Sequence, residues 1–597
     1  MKTHHALILL AMLAGRVLAG EPFAIEVVDS KTGRGVPLVE LRTVNEIKYV
    51  TDSRGIVAFD EPGLMGRKVF FHVSSHGYEL PKDGFGFRGK TLDVAPGGRG
   101  RIAVDRVNIA ERLYRVTGAG IDRDSVLVGD PVPIRQPLLN AGVLGSDSVL
   151  NAVFQGKVYW FWGDTNRSDY PLGNFHSPTA TSRLPVDGGL DIEKGVDLDY
   201  AVDADGFAAP SAKMPGDGPT WLDGLTVLKD ASGAERMFAA FAKIRPPLET
   251  YERGLAEFDP KTRRFNKIAS IPLDAPAFPQ GHSFSHRGPD GEHIYYGDPY
   301  PLIRVRANSD DLMHPERFEA FTCLLPGSTP DRPEIDRNPD GSPRYAWRRG
   351  ARPLDAQNQT KLTQRGLIRE GDALLPLQDV ETGRRVIAHR GSTEWNPHRW
   401  RWVMIAVEVG GESSMLGEVW FAEADTPVGP WVYARKILTH QKYSFYNPKQ
   451  HPMFDRENGR LIYFEGTYSV TFSGNDHPTP RYDYNQILYK LDLDDPRLNL
   501  PVPVYLVDGR YRTRSPGHPV AFFAMERPAP GSIPVGDPPL FHAWPIEKPG
   551  ATLTTLHEQT KINGNKVFRT DPDPALGAAR PAFKVWRNPQ RVLIPAG

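Results

Sequence analysis

The sequence predicts an all-β protein: a five-bladed β-propeller preceded by a small β-sandwich and followed by a short C-terminal β segment. Three observations carry this expectation. Gly (57) and Pro (55) are frequent in the 597 residues, a level that suits turn-rich β structure. No long stretch shows the 3.6-residue apolar period of a helix. One strand shape also recurs five times: a charged or polar residue, four to six apolar residues, then a polar end.

Residues 1–19 read as an export signal. "MKTHH" supplies a short basic start and "ALILLAMLAG" an apolar run. Val17, Leu18 and Ala19 then fit the small-residue rule, with cleavage before Gly20. The run is too short to span a bilayer comfortably, and no later stretch approaches a span. A secreted, periplasmic or cell-surface protein follows, with no membrane contact after cleavage. Lys plus Arg equals Asp plus Glu at 72 each, so no global basic field points to nucleic acid. The one cysteine, Cys323 in "FEAFTCLLPG", rules out an intrachain disulfide and a thiolate zinc site. It reads as a small buried side chain.

Residues 20–108 read as a separate small β domain, with short alternating runs broken by Thr-Gly, Ser-Arg-Gly and Pro-Gly turns. "DSKTGRGVPLVELRT" followed by "TDSRGIVAF" resembles the carboxypeptidase-regulatory-like, transthyretin-like sandwiches. The resemblance implies a spacer or docking module and no reaction.

Residues 109–498 hold the repeat. Its five runs are "KVYWFWGDT" (157–165), "ERMFAAFAK" (235–243), "EHIYYGDPY" (292–300), "RWVMIAVEV" (401–409) and "GRLIYFEGTY" (459–468). Each is followed by another short strand and then turn residues. The steps between runs are 78, 57, 109 and 58 residues, with the largest insertion around 330–385. Five units of a few antiparallel strands predict five propeller blades. A large sandwich or two smaller β domains is the competing arrangement. Residues 499–597 return to turn-rich text. They form either an appended β segment or strands that close the ring against residues 113–119.

Each unit also has a run before the strand named above: 146–155, 220–229, 281–288, 389–398 and 444–454. As innermost strands these line a central channel. Neighbouring strands are antiparallel, so the start of each inner strand shares a face with the end of the next strand. This places Asp147, Asp164, Asp223, His282, Asp298, Glu394, Asn447, His451 and Glu465 on one expected funnel. Trp162, Trp221, Trp395 and Tyr446 supply flat apolar surfaces, and Arg167 and His176 follow in "NRSDYPLGNFH". Rings that stack on sugar C–H faces, beside carboxylates and imidazoles that bond hydroxyls, predict a carbohydrate partner. No HExxH or tight carboxylate–histidine spacing predicts a metal, and no cofactor is expected, although the channel leaves room for a structural calcium ion. Asp425 in "EADTPVGPW" reads as a turn residue.

The strand grammar, above all "EVWFAEADTPVGPWV", is similar to that of the arabinanase and β-xylosidase type of five-bladed glycoside hydrolases. "KVYWFWGDT" also resembles the "FGDT" strand of propellers that include D-arabinan-degrading enzymes. The resemblance spans roughly residues 115–498 and implies an acid, a base and a third carboxylate on inner strands of different blades. The matching positions are Asp147 or Asp164, Asp223 and Glu394. His282 and His286 stand where those enzymes place a glutamate acid, which departs from the pattern. The expected activity is glycoside hydrolysis, with Glu394 as acid, Asp164 or Asp147 as base, and Asp223 as orienting partner. Two alternatives stay open. One is a polysaccharide lyase using His282, His286, Tyr446 and Arg390, and the other is a sugar-binding or cell-surface protein without turnover.

Overall fold

In the computed structural model, residues 20–288, 290–507, 510–513, 539–544 and 553–587 are described. The expected export signal, residues 1–19, lies outside them. Among the described residues no helix is long and apolar enough to cross a membrane.

Residues Phe23–Arg106 form an eight-stranded β unit whose core includes Phe23, Ile25, Val39, Leu41, Phe59, Phe71 and Ile102. Five sheets follow. Their innermost strands are Val149–Phe154, Thr220–Lys229, His282–Gly288, Ala388–Asn396 and Ser444–Gln450, which agree with the five runs read from the sequence. Each is hydrogen-bonded to the apolar strand after it, and successive innermost strands touch one another.

The apolar strands are buried on both faces because each sheet is sandwiched between two others. In Lys157–Trp162, five of six residues are buried. Alternation sends Val158, Trp160 and Trp162 into one core, shared with Tyr463 and Leu488 of the fifth sheet. Tyr159 and Phe161 enter the next core, with Met237, Phe241 and Phe258 of the second sheet. Analogous cores join the second sheet to the third, the third to the fourth and the fourth to the fifth. The ring is thus closed by side-chain packing, and the arrangement is a β-propeller.

The outermost strand of the fifth sheet is Glu111–Arg115, which pairs antiparallel with Asn485–Asp492. A strand from before the first blade therefore closes the ring. The C-terminal strands form two separate three-stranded sheets. These pack on the fourth sheet, where Tyr433 contacts His542 and Trp586 at ring distances of 4.9 and 5.3 Å. The long insertion between the third and fourth blades carries the helix Ala356–Gln364, capped by Asp355, whose carboxylate accepts the Asn358 amide. Cys323 is fully buried in the core beneath this insertion.

Candidate active site

The first innermost strand begins with Val149 opposite Trp162, and the third with His282 opposite Gly297. The starts of the inner strands and the ends of their partners therefore meet at one mouth of the channel. Asp147 and Asp164 from the first blade, Asp223 from the second and Asp298 from the third stand there, all half-buried. Arg390, second in line on the fourth inner strand after Ala388, lies among them.

Asp147 is held by hydroxyls. Ser148 donates to its Oδ1, and the Tyr484 hydroxyl donates to Oδ2 at 3.2 Å. Asn447 steadies Ser148 by donating to its Oγ at 2.5 Å. Burial raises the Asp147 pKa, while Ser148, Tyr484, Tyr446 and Arg390 pull it down. Asp164 has fewer supports. Its Oδ1 is buried without a hydrogen-bond partner, and burial with the nearby Asp147 charge pushes its pKa up to about 6 against the pull of Trp221.

Asp223 Oδ1 accepts the amides of Gly224 at 2.9 Å and Gly281 at 2.7 Å. Gly281 makes this possible: its φ is +91°, and a Cβ there would stand 2.1 Å from the Gly297 carbonyl oxygen. Asp298 accepts the Gly391 amide at 3.3 Å, and Arg390 lies 3.6 Å from its Oδ2. Burial pushes Asp298 up to about 6 against the Arg390 charge. Arg390 is held charged by Asp298, Asp223 and Asp147 together, so one guanidinium serves carboxylates from three blades.

A second cluster lies deeper. At about 3.3 Å of rise per residue, Glu394 is roughly 13 Å along its strand from Arg390. It is buried, and its pairing with Val403 puts it near the far hairpin of the blade. Glu394, Lys449, Asn151 and His282 line a channel cavity of about 300 Å³ bordered by all five inner strands. Glu465 and His451 are fully buried beside it, 3.4 Å apart. Burial raises the pKa of Glu394, pushes Glu465 up to about 8 and lowers Lys449, with the Lys449 charge opposing the rise at both carboxyls. The single expected funnel is therefore two tiers: Glu394, His451 and Glu465 do not stand with the four aspartates. His282 joins the tiers, kept neutral by burial and by Lys449, His451 and Arg390.

Three other expectations change. Trp162 is 1% exposed, its ring 5.3 Å from Tyr200, because alternation points it into the core and away from the channel. Trp395 is 42% exposed but sits opposite Trp402 at the far end of the fourth blade. Arg167 stacks on Phe207 and pairs with Asp169 and Asp205, on a strand belonging to a small side sheet. Asp425 stands in the bend after Glu418–Ala424, where its side chain is buried and pairs with Arg401 at 3.1 Å. Trp221 and Tyr446 do reach the mouth, one 38% exposed and the other 7%. His176 stands on the loop after the first blade's apolar strand, its Nδ1 buried and unpartnered.

Arg390, Ser148, Tyr484 and Lys449 were not among the expected hydrolase residues. Arg390 had a readable signal, since it opens an inner strand as Asp147 and Asp223 do. Lys449 lay between two named residues, Asn447 and His451. Tyr484 stands in the turn just before the strand Asn485–Asp492 and had no signal. No group of three or more His, Cys, Asp or Glu among the described residues is arranged to hold a metal ion.

No protein-family model matches the chain, and no curated protein matches it. Among solved structures, the chain is similar to an exo-β-1,3-galactanase from Phanerochaete chrysosporium with galactose, at 10% identity and a TM-score of 0.32, covering 68% of this chain and 71% of that one. It is similar to a GH43_1 enzyme from Xanthomonas citri complexed with xylotriose, at 10% identity and 0.30, covering 64% and 92%. It is also similar to an exo-1,5-α-L-arabinanase from a bovine ruminal metagenomic library, at 9% and 0.29, covering 59% and 94%. The fold assignment rests on the strand topology and not on these likenesses.

Proposed function

We propose that the chain is an exported glycoside hydrolase that acts on a polysaccharide or its oligosaccharides at the aspartate mouth. The observation that carries this reading is the unequal support of two adjacent carboxyls. Burial raises both, but Asp147 takes hydroxyl donors that oppose the rise, whereas Asp164 has the Asp147 charge beside it and an oxygen free of partners. Two neighbouring carboxyls in unequal surroundings suit the acid and base roles of glycoside cleavage.

Asp164 is the proton donor to the leaving oxygen. Asp147 is the ionised partner that activates water or meets the anomeric carbon. Asp223 and Asp298, held with Arg390, bond sugar hydroxyls and keep the local charge balanced. Trp221 lies beside Asp164 and offers a ring face to the sugar. This replaces Glu394 as the acid, since Glu394 stands a tier below.

The test is reducing-end release from a panel of plant, algal and bacterial polysaccharides. Asp147→Asn and Asp164→Asn are each expected to lower kcat by about 10²–10⁴-fold with folding intact. A Glu394→Gln variant that loses as much, with both aspartate variants active, overturns the assignment.

A further inference from the structure

The backbone at the funnel mouth is unusual between the fifth and first blades. Ser148, Asn447, Phe472 and Tyr484 all have positive φ, at 29°, 52°, 65° and 60°. Such conformations are disfavoured for residues with a Cβ, and they gather where a site demands them. Phe472 is the least expected of the four. The Ser473 amide donates to the Val470 carbonyl at 3.0 Å, closing a tight turn with Phe472 at its third position. A positive φ there favours glycine or asparagine.

The turn is firmly anchored. Asp483 accepts the Val470 amide at 2.7 Å, the Ser444 hydroxyl donates to the Thr471 carbonyl at 2.6 Å, and the Ser473 hydroxyl donates to the Val470 carbonyl at 2.6 Å. The phenyl ring is nevertheless 64% exposed. It meets the edge of Tyr446 at 6.1 Å and 75°, and Tyr446 in turn bears on Asp147. On the other side of the aspartate pair, Trp221 is 38% exposed beside Asp164. Two exposed rings from different blades thus flank one pair of carboxyls.

We propose that Phe472 is a sugar-binding wall: it stacks against the glycosyl unit on the fifth-blade side of the Asp147–Asp164 pair, opposite the unit that Trp221 receives. The inference rests on the hydrolase reading for its ligand class and adds a second subsite to it. A stiff turn that holds a bulky ring in a glycine-favouring conformation, exposed at the mouth, gives up folding stability to present that ring. Its ring neighbour is Tyr446, which bears on the Asp147 carboxylate, so an aromatic face and a carboxylate stand in sequence for the C–H face and the hydroxyls of a sugar.

The experiment compares wild type, Phe472→Gly, Phe472→Trp and Asp164→Asn on the same polysaccharide and oligosaccharide panel. It measures kcat and KM by reducing-end release, binding by affinity electrophoresis, and Tm. Phe472→Gly is expected to raise KM or weaken retardation about tenfold, with kcat within about twofold and Tm at or above wild type because the turn strain is relieved. Phe472→Trp restores binding, and Asp164→Asn binds without turnover. Wild-type kinetics and retardation in Phe472→Gly overturn the subsite while leaving the hydrolase reading standing. If wild type binds but never cleaves, the hydrolase reading fails and retardation alone decides the role of Phe472. If wild type neither cleaves nor binds any member of the panel, both fail.

Discussion

Two buried polar regions of this molecule differ in how their groups are partnered. The first joins the N-terminal β unit to the fifth blade. There Arg112 donates to the carbonyls of Pro37 at 3.0 Å, His76 at 3.1 Å and Leu38 at 3.3 Å, and to Ser75 Oγ at 2.6 Å. The Tyr482 hydroxyl accepts the Leu38 amide and donates to the Thr51 carbonyl, and His76 Nε2 bonds the Tyr468 hydroxyl at 2.9 Å. The second region is the channel and its mouth. There Asp164 Oδ1, His176 Nδ1, His282 Nδ1, Asn151 Oδ1 and both Glu465 oxygens have no hydrogen-bond partner. Leaving such groups bare costs stability, so folds satisfy them unless something else completes them. Arg112 and Tyr482 find their partners within the chain and tie the N-terminal unit to the propeller, although Tyr78 Oη, Arg115 Nε and both Asp122 carboxylate oxygens along the same interface have no hydrogen-bond partner. In the channel the chain supplies no such partners for these groups.

The contrast is most sharply broken by Arg112→Ala. Removing a buried cation with four acceptors should cost about 3 kcal/mol or more, read as a fall in Tm and denaturant midpoint, with kcat of the folded fraction unchanged. A loss of kcat at unchanged Tm would put the interface on the functional side. Next comes Glu465→Gln. The folded pKa of Glu465 is raised to about 8, so the unfolded chain releases its proton first. Wild-type stability should then fall as pH rises from about 4.3, the ordinary glutamate value, toward 8. The variant lacks this decline, so its Tm should gain on wild type between pH 5 and about 8. A constant Tm difference across that window contradicts the placement of Glu465 in a dry, proton-retaining site.

The smallest effect belongs to Asp164→Asn. Its folded pKa of about 6 gives the same sign over a shorter window, from about 4 to 6. The variant should be more stable than wild type at pH 7 relative to pH 4, while losing activity. Such an exchange of stability for function is expected where a carboxyl is kept for chemistry.

Much of the architecture was legible because the blades impose one periodicity. All five inner strands and their greasy partners could be read from runs such as "KVYWFW", where burial on both faces removes the polar alternation of an ordinary sheet. The mouth residues Asp147, Asp164, Asp223 and Asp298 followed from strand direction alone. Depth did not. Glu394 is seventh in Ala388–Asn396, His451 follows Ser444–Gln450 and Glu465 is central in Leu461–Ser469; each residue adds more than 3 Å of depth, and no motif marks where the mouth ends. The direction of a ring was equally hidden: Trp162 points into a core and Trp395 to the far end. Closure by Glu111–Arg115 depended on pairing across more than 370 residues, which composition cannot specify.

The most direct test of the account is reducing-end release by wild type, Asp147→Asn and Asp164→Asn, run beside Glu394→Gln on the same substrate. The account predicts that both aspartate variants lose turnover by about 10²–10⁴-fold while keeping their fold and their affinity, and that Glu394→Gln retains most of its activity. Full activity in either aspartate variant would contradict it.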